Sequence, residues 1–311
     1  MIFPIAGVHI NPFYLMGVGF VVGVLGGFFG VGGSFLAGPA LFSAGVPMNF
    51  VVGTDLAHIV GKSIVAARKH RTLGNIDFKL GGLMVLGTIS GVEAGAQVIQ
   101  ALKKTPWINW VVGPTLIFIL LGISGFMTWE SIVTMRNQRR AGKSRRATSG
   151  EHPSRRDHSA VAYIARAVHR ISLPPHVSLP VSGIASVSIW AVVVVAFVGG
   201  FFSGFLGGGA GYIRMPCLIY VLGIPTHIAV GTDLFEIIIS AGYGTLSHAL
   251  KGNVDVLIAL VMHTGAAIGA QTGATLTQYF GGPRIRMAFI PLPLIGAGLM
   301  LYSLLSGHAP R

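Results

Sequence analysis

Charged side chains inside apolar stretches of the chain are candidates for function, because a charge there is costly, and four of them are considered first. They are Asp55, Asp233, Glu236 and Arg214. A carboxyl group at such a place could carry a coupling proton, and a guanidinium could hold an anion through paired hydrogen bonds. Arg214 could instead pair with a carboxylate, and either aspartate could cap the N-terminus of a helix. The residue types and spacing leave these alternatives open.

Further polar residues share these stretches. His58 and Lys62 follow Asp55 at i+3 and i+7, which places all three on one face of a helix. We interpret Lys62 and Glu93 as structural groups in ion pairs or helix interfaces. Two histidines flank expected loops and are predicted to be solvated: His70 and His248.

Two glycine-rich runs precede the charged positions, at 30–34 and 207–211. One interpretation is an unwound helix segment whose free backbone N–H groups favour an anion, and the other is a tight turn between packed helices. A phosphate loop is excluded, because the glycine that must precede each Gly-Lys-Ser sequence is Leu56 in one case and Asn137 in the other. The candidate substrate contacts are Gly30, Gly32, Gly33, Ser34, Gly207, Gly208, Gly209, Gly211, Arg214, Thr54 and Thr232. The candidate proton carriers are Asp55, Asp233 and Glu236.

The composition indicates the class of fold that positions these residues. Of 311 residues, 52% are apolar and 10% are charged, too little charge to cover a soluble globule of this size. Disorder, a coiled coil and a disulfide scaffold are excluded, and the single cysteine is Cys217. The sequence predicts an all-α polytopic membrane protein with about eight transmembrane helices. The eight stretches are 13–30, 50–68, 80–101, 108–130, 185–206, 228–249, 255–279 and 288–305.

Two shorter apolar stretches, 31–46 and 208–223, are broken by Gly and Pro and are predicted to be re-entrant. If they re-enter, the chain has eight spans and both termini lie on the side of the central connector. If they cross, it has ten spans, the termini lie on the other side, and the halves are inverted. The Lys/Arg distribution does not choose between these topologies, and we favour eight spans because the short stretches are broken by glycine.

The chain contains an internal repeat. Gly53-Thr54-Asp55-Leu56 matches Gly231-Thr232-Asp233-Leu234 at an offset of 178 residues, and 74–77 matches 252–255 at the same offset. Gly87, Gly91 and Gly95 match Gly265, Gly269 and Gly273. Glycines four residues apart form one helix face and are predicted to pack closely against a neighbouring helix. Repeated helical modules are typical of secondary transporters.

The net charge of +13 lies mainly in one hydrophilic connector. The segment from Arg136 to Arg170 contains ten Lys/Arg and two acidic residues, which gives a formal charge of +8. We therefore expect a cytoplasmic connector at 131–182 between two membrane repeats, 1–130 and 183–311, and no nucleic acid partner. Within the connector, 159–171 could form a short amphipathic helix on the membrane.

The duplicated elements resemble one known family. The sequence from Gly27-Phe28-Phe29-Gly30 to Pro39, its second copy from Gly204 to Pro216, and the Gly-Thr and Gly-Asn-x-Asp motifs look like the TauE/SafE family of membrane permeases. The resemblance covers about 13–130 and 185–305. Asp55 and Asp233 stand where that family commonly has a small polar residue, and Arg214 where it usually has an apolar one.

The resemblance implies a permease of small anions such as sulfite, sulfonates or related organic anions, with export as the expected direction. The buried carboxyl groups suggest coupling to the proton gradient. It implies a multi-pass protein of the cell (inner) membrane, whose partners are a small anionic substrate and the lipid bilayer. We expect no enzyme activity, no cofactor and no metal site. The alternatives are a membrane enzyme or assembly subunit without transport, and an anion channel; a homo-oligomer is left open.

Overall fold

The computed structural model describes residues 1–147 and 173–306, which are predominantly helical. In the first half the helices are α1 (Pro12–Phe29), α2 (Ser34–Ser43), α3 (Met48–Thr72), α4 (Phe78–Leu102) and α5 (Ile108–Ala147). In the second half they are α6 (Ile189–Leu206), α7 (Gly211–Pro216), α8 (Thr226–Leu250), α9 (Val256–Leu276), α10 (Gly282–Phe289) and α11 (Pro291–Leu305). A π-helical turn, Cys217–Val221, follows α7. Two short antiparallel hairpins precede α1 and α6: β1 (Ile2–Phe3) with β2 (Val8–His9), and β3 (His176–Leu179) with β4 (Ile184–Ser188).

The helices confirm an all-α polytopic membrane protein. Seven helical segments within the described residues are long and apolar enough to cross a bilayer. An eighth, α8, has the same 25-residue length as α3 but carries Asp233 and Glu236. The fourth predicted span, 108–130, agrees with the apolar part of α5, Ile108–Val133. The helix itself continues as far as Ala147 and so carries the first basic residues of the connector. The amphipathic helix expected at 159–171 lies outside the described residues.

The internal repeat is visible in matched helix starts. Pro47 precedes α3 and Pro225 precedes α8. Asp77 and Asp255 cap α4 and α9, because their carboxylates accept hydrogen bonds from backbone N–H groups of the first helical turn. Asp55 and Asp233 are not N-caps, because each lies seven residues inside its helix.

The glycines spaced four residues apart on α4 and α9 pack against α6 and α1, which confirms the prediction that they form packing faces. We call these four helices the outer helices. A Cβ added at Gly87 would lie 3.0 Å from the backbone nitrogen of Phe197, and one at Gly95 would lie 2.6 Å from that of Phe205. A later glycine on α4 therefore contacts a later residue on α6, which means that α4 and α6 run parallel. The same pairing of Gly265 and Gly273 with the backbone of α1 makes α1 and α9 parallel.

The central helices α3 and α8 instead run antiparallel. Gly53, near the start of α3, packs on the backbone of Asn253, just after the end of α8. Gly231, near the start of α8, packs in the same way on Asn75, just after α3. Together with the parallel outer pairs, this arrangement makes the two halves inverted with respect to each other.

The inversion corrects the favoured topology. The segment through α2 returns across the fold, because Gly33 packs against Val22 of α1 whereas Ala40 O accepts a hydrogen bond from Tyr14 Oη at 3.1 Å, near the start of α1. Ten residues of α2 span about 15 Å, and a left-handed glycine turn at 30–33 connects them to the end of α1. The expectation that the N-terminus lies on the connector's side of the membrane is therefore wrong.

Each hairpin contacts the opposite half. Ser182 Oγ donates a 2.7 Å hydrogen bond to Asp77, and Ala6 N donates a 3.0 Å hydrogen bond to Asp255. The two capping aspartates thus hold both their own helix and the hairpin that begins the other half. The repeats are consequently interlocked by polar contacts as well as by the glycine faces.

Candidate functional site

The buried charges lie mainly on α3 and α8, two helices that pack against each other. Asp55, His58 and Lys62 lie along α3, and the positions 178 residues later on α8 carry Asp233, Glu236 and Ser240. All six side chains are buried. Lys62 lies 14 residues after the start of α3, about 21 Å along a helix of about 37 Å, and is therefore near its middle.

Arg214 is held by carboxylates on two sides. Its Nε donates a hydrogen bond to Asp233 Oδ1, and its Nη1 forms an ion pair with Glu236 Oε2. Ser240 Oγ donates to the same Glu236 oxygen at 3.2 Å. The alternative in which Arg214 pairs with a carboxylate is thus the one found. Two carboxylates share one guanidinium, which leaves this acidic cluster (Arg214, Asp233, Glu236 and Ser240) with one surplus negative charge if both acids are ionised.

The polar groups on α3 are paired differently from those of the acidic cluster. His58 Nδ1 lies 3.4 Å from Asp55 Oδ1. Lys62 Nζ has neither a hydrogen bond nor an ion pair among the described residues, so its expected ion pair is not found. Glu93 does have one, because Lys251 Nζ lies 2.9 Å from its carboxylate and Ser247 donates to it at 2.6 Å.

The glycine-rich runs are backbone breaks that reach the charged helices. Gly30, Gly32 and Gly33 have φ between 68° and 74°, and Gly207, Gly208 and Gly209 have φ between 68° and 81°, values that side chains disfavour. Gly30 packs on Val230 of α8, and Gly207 packs on Val52 of α3. A Cβ at Gly211 would lie 2.8 Å from Asp233 Oδ2. Ser34 begins α2. The second run is therefore adjacent to the acidic cluster, and its contact with an anion stays a prediction.

Thr54 and Thr232 are engaged in bonds between the halves. Thr54 Oγ1 accepts a 2.9 Å hydrogen bond from the backbone N–H of Asp255, and Thr232 Oγ1 accepts a 2.9 Å hydrogen bond from that of Asp77. These bonds give the threonine of each Gly-Thr motif a structural role. Substrate contact by the two threonines stays a prediction.

The expectation that His70 and His248 are solvated is wrong. Both side chains are fully buried. Their Nε2 atoms are hydrogen-bonded to the carbonyl oxygens of Gly27 at 3.0 Å and Gly204 at 2.9 Å, near the ends of α1 and α6. Their equivalent places in the repeat were a signal that both perform one structural task.

Two polar residues near the site were missed by sequence reasoning. Tyr212 on α7 is 1% exposed, and its hydroxyl has no hydrogen-bond partner in the part of the chain that the structure describes. His263 on α9 faces α3, because a Cβ at Gly61 would overlap its imidazole ring. Their counterparts in the first half are apolar, Phe35 and Val85. A polar residue at a position where its repeat copy is apolar was the available signal. No group of three or more His, Cys, Asp or Glu within 1–147 and 173–306 could hold a metal ion.

Comparison with known proteins gives one consistent result. The family model described as Sulfite exporter TauE/SafE matches residues 15–300. The Bacillus subtilis (strain 168) protein named "Probable membrane transporter protein YunE" is 26% identical over 301 residues, which cover 94% of this chain and 98% of that protein. "Probable membrane transporter protein YjnA" of the same organism is 22% identical over 92% of this chain and 95% of its own length. No solved structure gives a significant match.

Proposed function

The chain belongs to the Sulfite exporter TauE/SafE family, and from that premise we propose that it is a secondary transporter of small anions. Relatives matched over nearly their whole length are named membrane transporter proteins, which supports transport over catalysis. The proposed substrates are sulfite, sulfonates or related organic anions. The proposed direction is export, coupled to the proton gradient.

The observation that carries the proposal is the buried charge at the crossing of two inverted halves. Inverted repeats with discontinuous helices at their interface are the arrangement in which transporters bind substrate near the midplane. In this chain the breaks at 30–33 and 207–210 contact the helices that carry Asp55 and Asp233. Backbone N–H groups at these breaks, together with a buried cation, would contact the anion.

Proton coupling is proposed from the surplus carboxylate. Asp233 and Glu236 both contact Arg214, and burying an uncompensated negative charge is strongly unfavourable. A proton on one of the two carboxyl groups would balance the cluster. Asp233 and Glu236 are accordingly proposed proton carriers, and we propose Asp55, which contacts His58, as the third.

The proposed location is the cell (inner) membrane, with the connector 131–182 in the cytoplasm between membrane repeats 1–130 and 183–311. With the inverted arrangement, Arg68, Lys69, Arg71, Lys79, Arg284 and Arg286 lie on the connector's side. Lys103, Lys104 and Lys251 lie on the opposite side. This distribution supports a cytoplasmic connector, because positive residues are enriched inside.

Flux of radiolabelled sulfite and sulfonates in proteoliposomes tests the proposal. We expect saturable flux that increases when a pH gradient is imposed, and none in protein-free liposomes. Absence of flux for every anion, with and without the gradient, would contradict it. Single-channel currents in a planar bilayer would indicate a channel instead.

A further inference from the structure

The two buried cations of the described membrane helices differ in how they are compensated. Arg214 is 0% exposed and contacts two carboxylates. Lys62 is 2% exposed, and Nζ has no hydrogen-bond partner among the described residues. Buried charged groups without a partner are rare in folded proteins, and one that persists calls for a ligand or another functional reason.

The internal repeat shows that this difference is specific to the first half. The residue that corresponds to Lys62 in the second half is Ser240, and the one that corresponds to His58 is Glu236. Arg214 has the apolar counterpart Ala37. An anion approaching Arg214 would meet two carboxylates in direct contact with it. One approaching Lys62 would meet a cation, imidazole groups and one carboxylate, Asp55, which contacts His58 and not Lys62.

Three other buried polar atoms on α3 or on the facing helix α9 have no hydrogen-bond partner within residues 1–147 and 173–306. His58 Nε2, one turn before it, and Ser63 Oγ, next to it, are buried and lack hydrogen-bond partners. His263 Nδ1 on α9 is also unpaired, and its ring lies against α3 at Gly61. Lys62 interacts electrostatically with both His58 and His263 as well as with Asp55. A small oxyanion would accept from the Lys62 ammonium and from the Nδ1–H tautomer of His263. His58 donates to Asp55 through Nδ1, so its Nε2 donates to an anion only in the imidazolium form.

We propose that the substrate anion binds at Lys62, with His58 and His263 beside it, and that Arg214 is reserved for holding the two carboxylates of the acidic cluster. The ligand class is a small oxyanion, such as sulfite or a sulfonate head group, because its oxygens can accept from the ammonium and from an imidazole N–H at once. The class of ligand rests on the proposed function. The place of binding rests on the unpaired donors and on the asymmetry of the repeat.

Equilibrium binding of radiolabelled sulfite to the purified full chain in detergent tests the site apart from transport. Lys62→Gln is expected to weaken binding about tenfold or more, since it removes a charged hydrogen-bond donor. Lys62→Arg, which keeps the charge, is expected to bind more tightly than Lys62→Gln. The matched control is Lys251→Gln, which removes a cation paired with Glu93 and should leave the dissociation constant unchanged.

Thermal unfolding separates binding from a structural role. The Lys62→Gln variant is expected to unfold at the wild-type temperature or above it, because an unpaired buried ammonium destabilises the fold. Sulfite binding equal to wild type in Lys62→Gln, equal affinities of Lys62→Arg and Lys62→Gln, or absence of binding by the wild type would each overturn the inference. Binding that depends on Lys62 without any flux would retain it and reject the transport proposal, whereas flux that is independent of Lys62 would do the reverse.

Discussion

Arg214 is the residue on which the balance of buried charge depends most directly. Its guanidinium is fully buried with Asp233 and Glu236, and all three side chains come from different turns of α7 and α8. Removing one member of a buried ion cluster leaves the others uncompensated, which is worse than removing the whole set. Loss of transport in an Arg214 variant would therefore not by itself identify a substrate ligand.

A set of variants separates the two roles of Arg214. We expect Arg214→Ala to destabilise the protein by about 3–5 kcal/mol, because it strands two buried carboxylates. The triple variant Arg214→Met, Asp233→Asn, Glu236→Gln removes all the charges together and is expected to unfold at a higher temperature than Arg214→Ala. Apparent unfolding temperatures of the purified proteins in detergent measure both.

The control for this set is Lys251→Met. Its pair with Glu93 is partly exposed, at 19% and 30% of the two side chains, so the variant is expected to lose about 1 kcal/mol or less. If Arg214→Ala unfolded at the wild-type temperature, the idea that Arg214 compensates the two acids would be rejected.

At the scale of elements, the parallel helix pairs depend on glycines that bring two helix backbones into direct contact. Gly91 on α4 leaves no room for a side chain, because a Cβ there would lie 2.7 Å from the backbone nitrogen of Phe201 on α6. Gly82 on the same helix has nothing within 4 Å of an added Cβ. The contrast arises because the glycines with a spacing of four face α6, whereas Gly82 is exposed.

Alanine at these two glycines provides a matched pair. Gly91→Ala is expected to destabilise the protein by about 1–3 kcal/mol, since α4 and α6 must move apart. Gly82→Ala is expected to be neutral or to stabilise by up to about 1 kcal/mol, because alanine favours the helix. The unfolding temperature in detergent, read together with size-exclusion profiles, measures the difference; equal temperatures would refute close packing of α4 on α6.

At the scale of the whole molecule, the two inverted halves contribute matching elements to the centre of the fold. Each half supplies one glycine break and one polar helix to the crossing of α3 and α8. A nearly symmetric scaffold can rock between two states, because either half can open while the other closes. The charged residues break that symmetry, with the unpaired cation in the first half and the acidic cluster in the second.

Cysteine accessibility in intact cells checks the inversion. In a Cys217→Ser background, Thr105→Cys in the turn between α4 and α5 is expected to react with a membrane-impermeant maleimide added outside. Tyr279→Cys, at the end of α9, is expected to react only after permeabilisation. Both side chains are exposed at their respective ends of the fold. Labelling of both from the same side would contradict inverted halves.

Much of the fold could be predicted, because its signals are local. Apolar length identified the spanning helices, and the four-residue glycine spacing identified the packing faces at Gly87–Gly95 and Gly265–Gly273. The duplicated Gly-Thr-Asp motif identified the two helices that carry the site. The partners of Thr54 and Thr232 could not be predicted, since each lies in the other half of the chain, more than 150 residues away.

The sequence alone determined that this is a duplicated helical membrane protein with a few charges in its spans, because hydropathy and repeat register are properties of the chain itself. Only the tertiary structure decided that the halves are inverted, since the count of positive residues was compatible with either topology. It also decided that Arg214 is paired and Lys62 is not. Pairing depends on which helices cross at one depth, and that depends on contacts between glycine faces far apart in the chain.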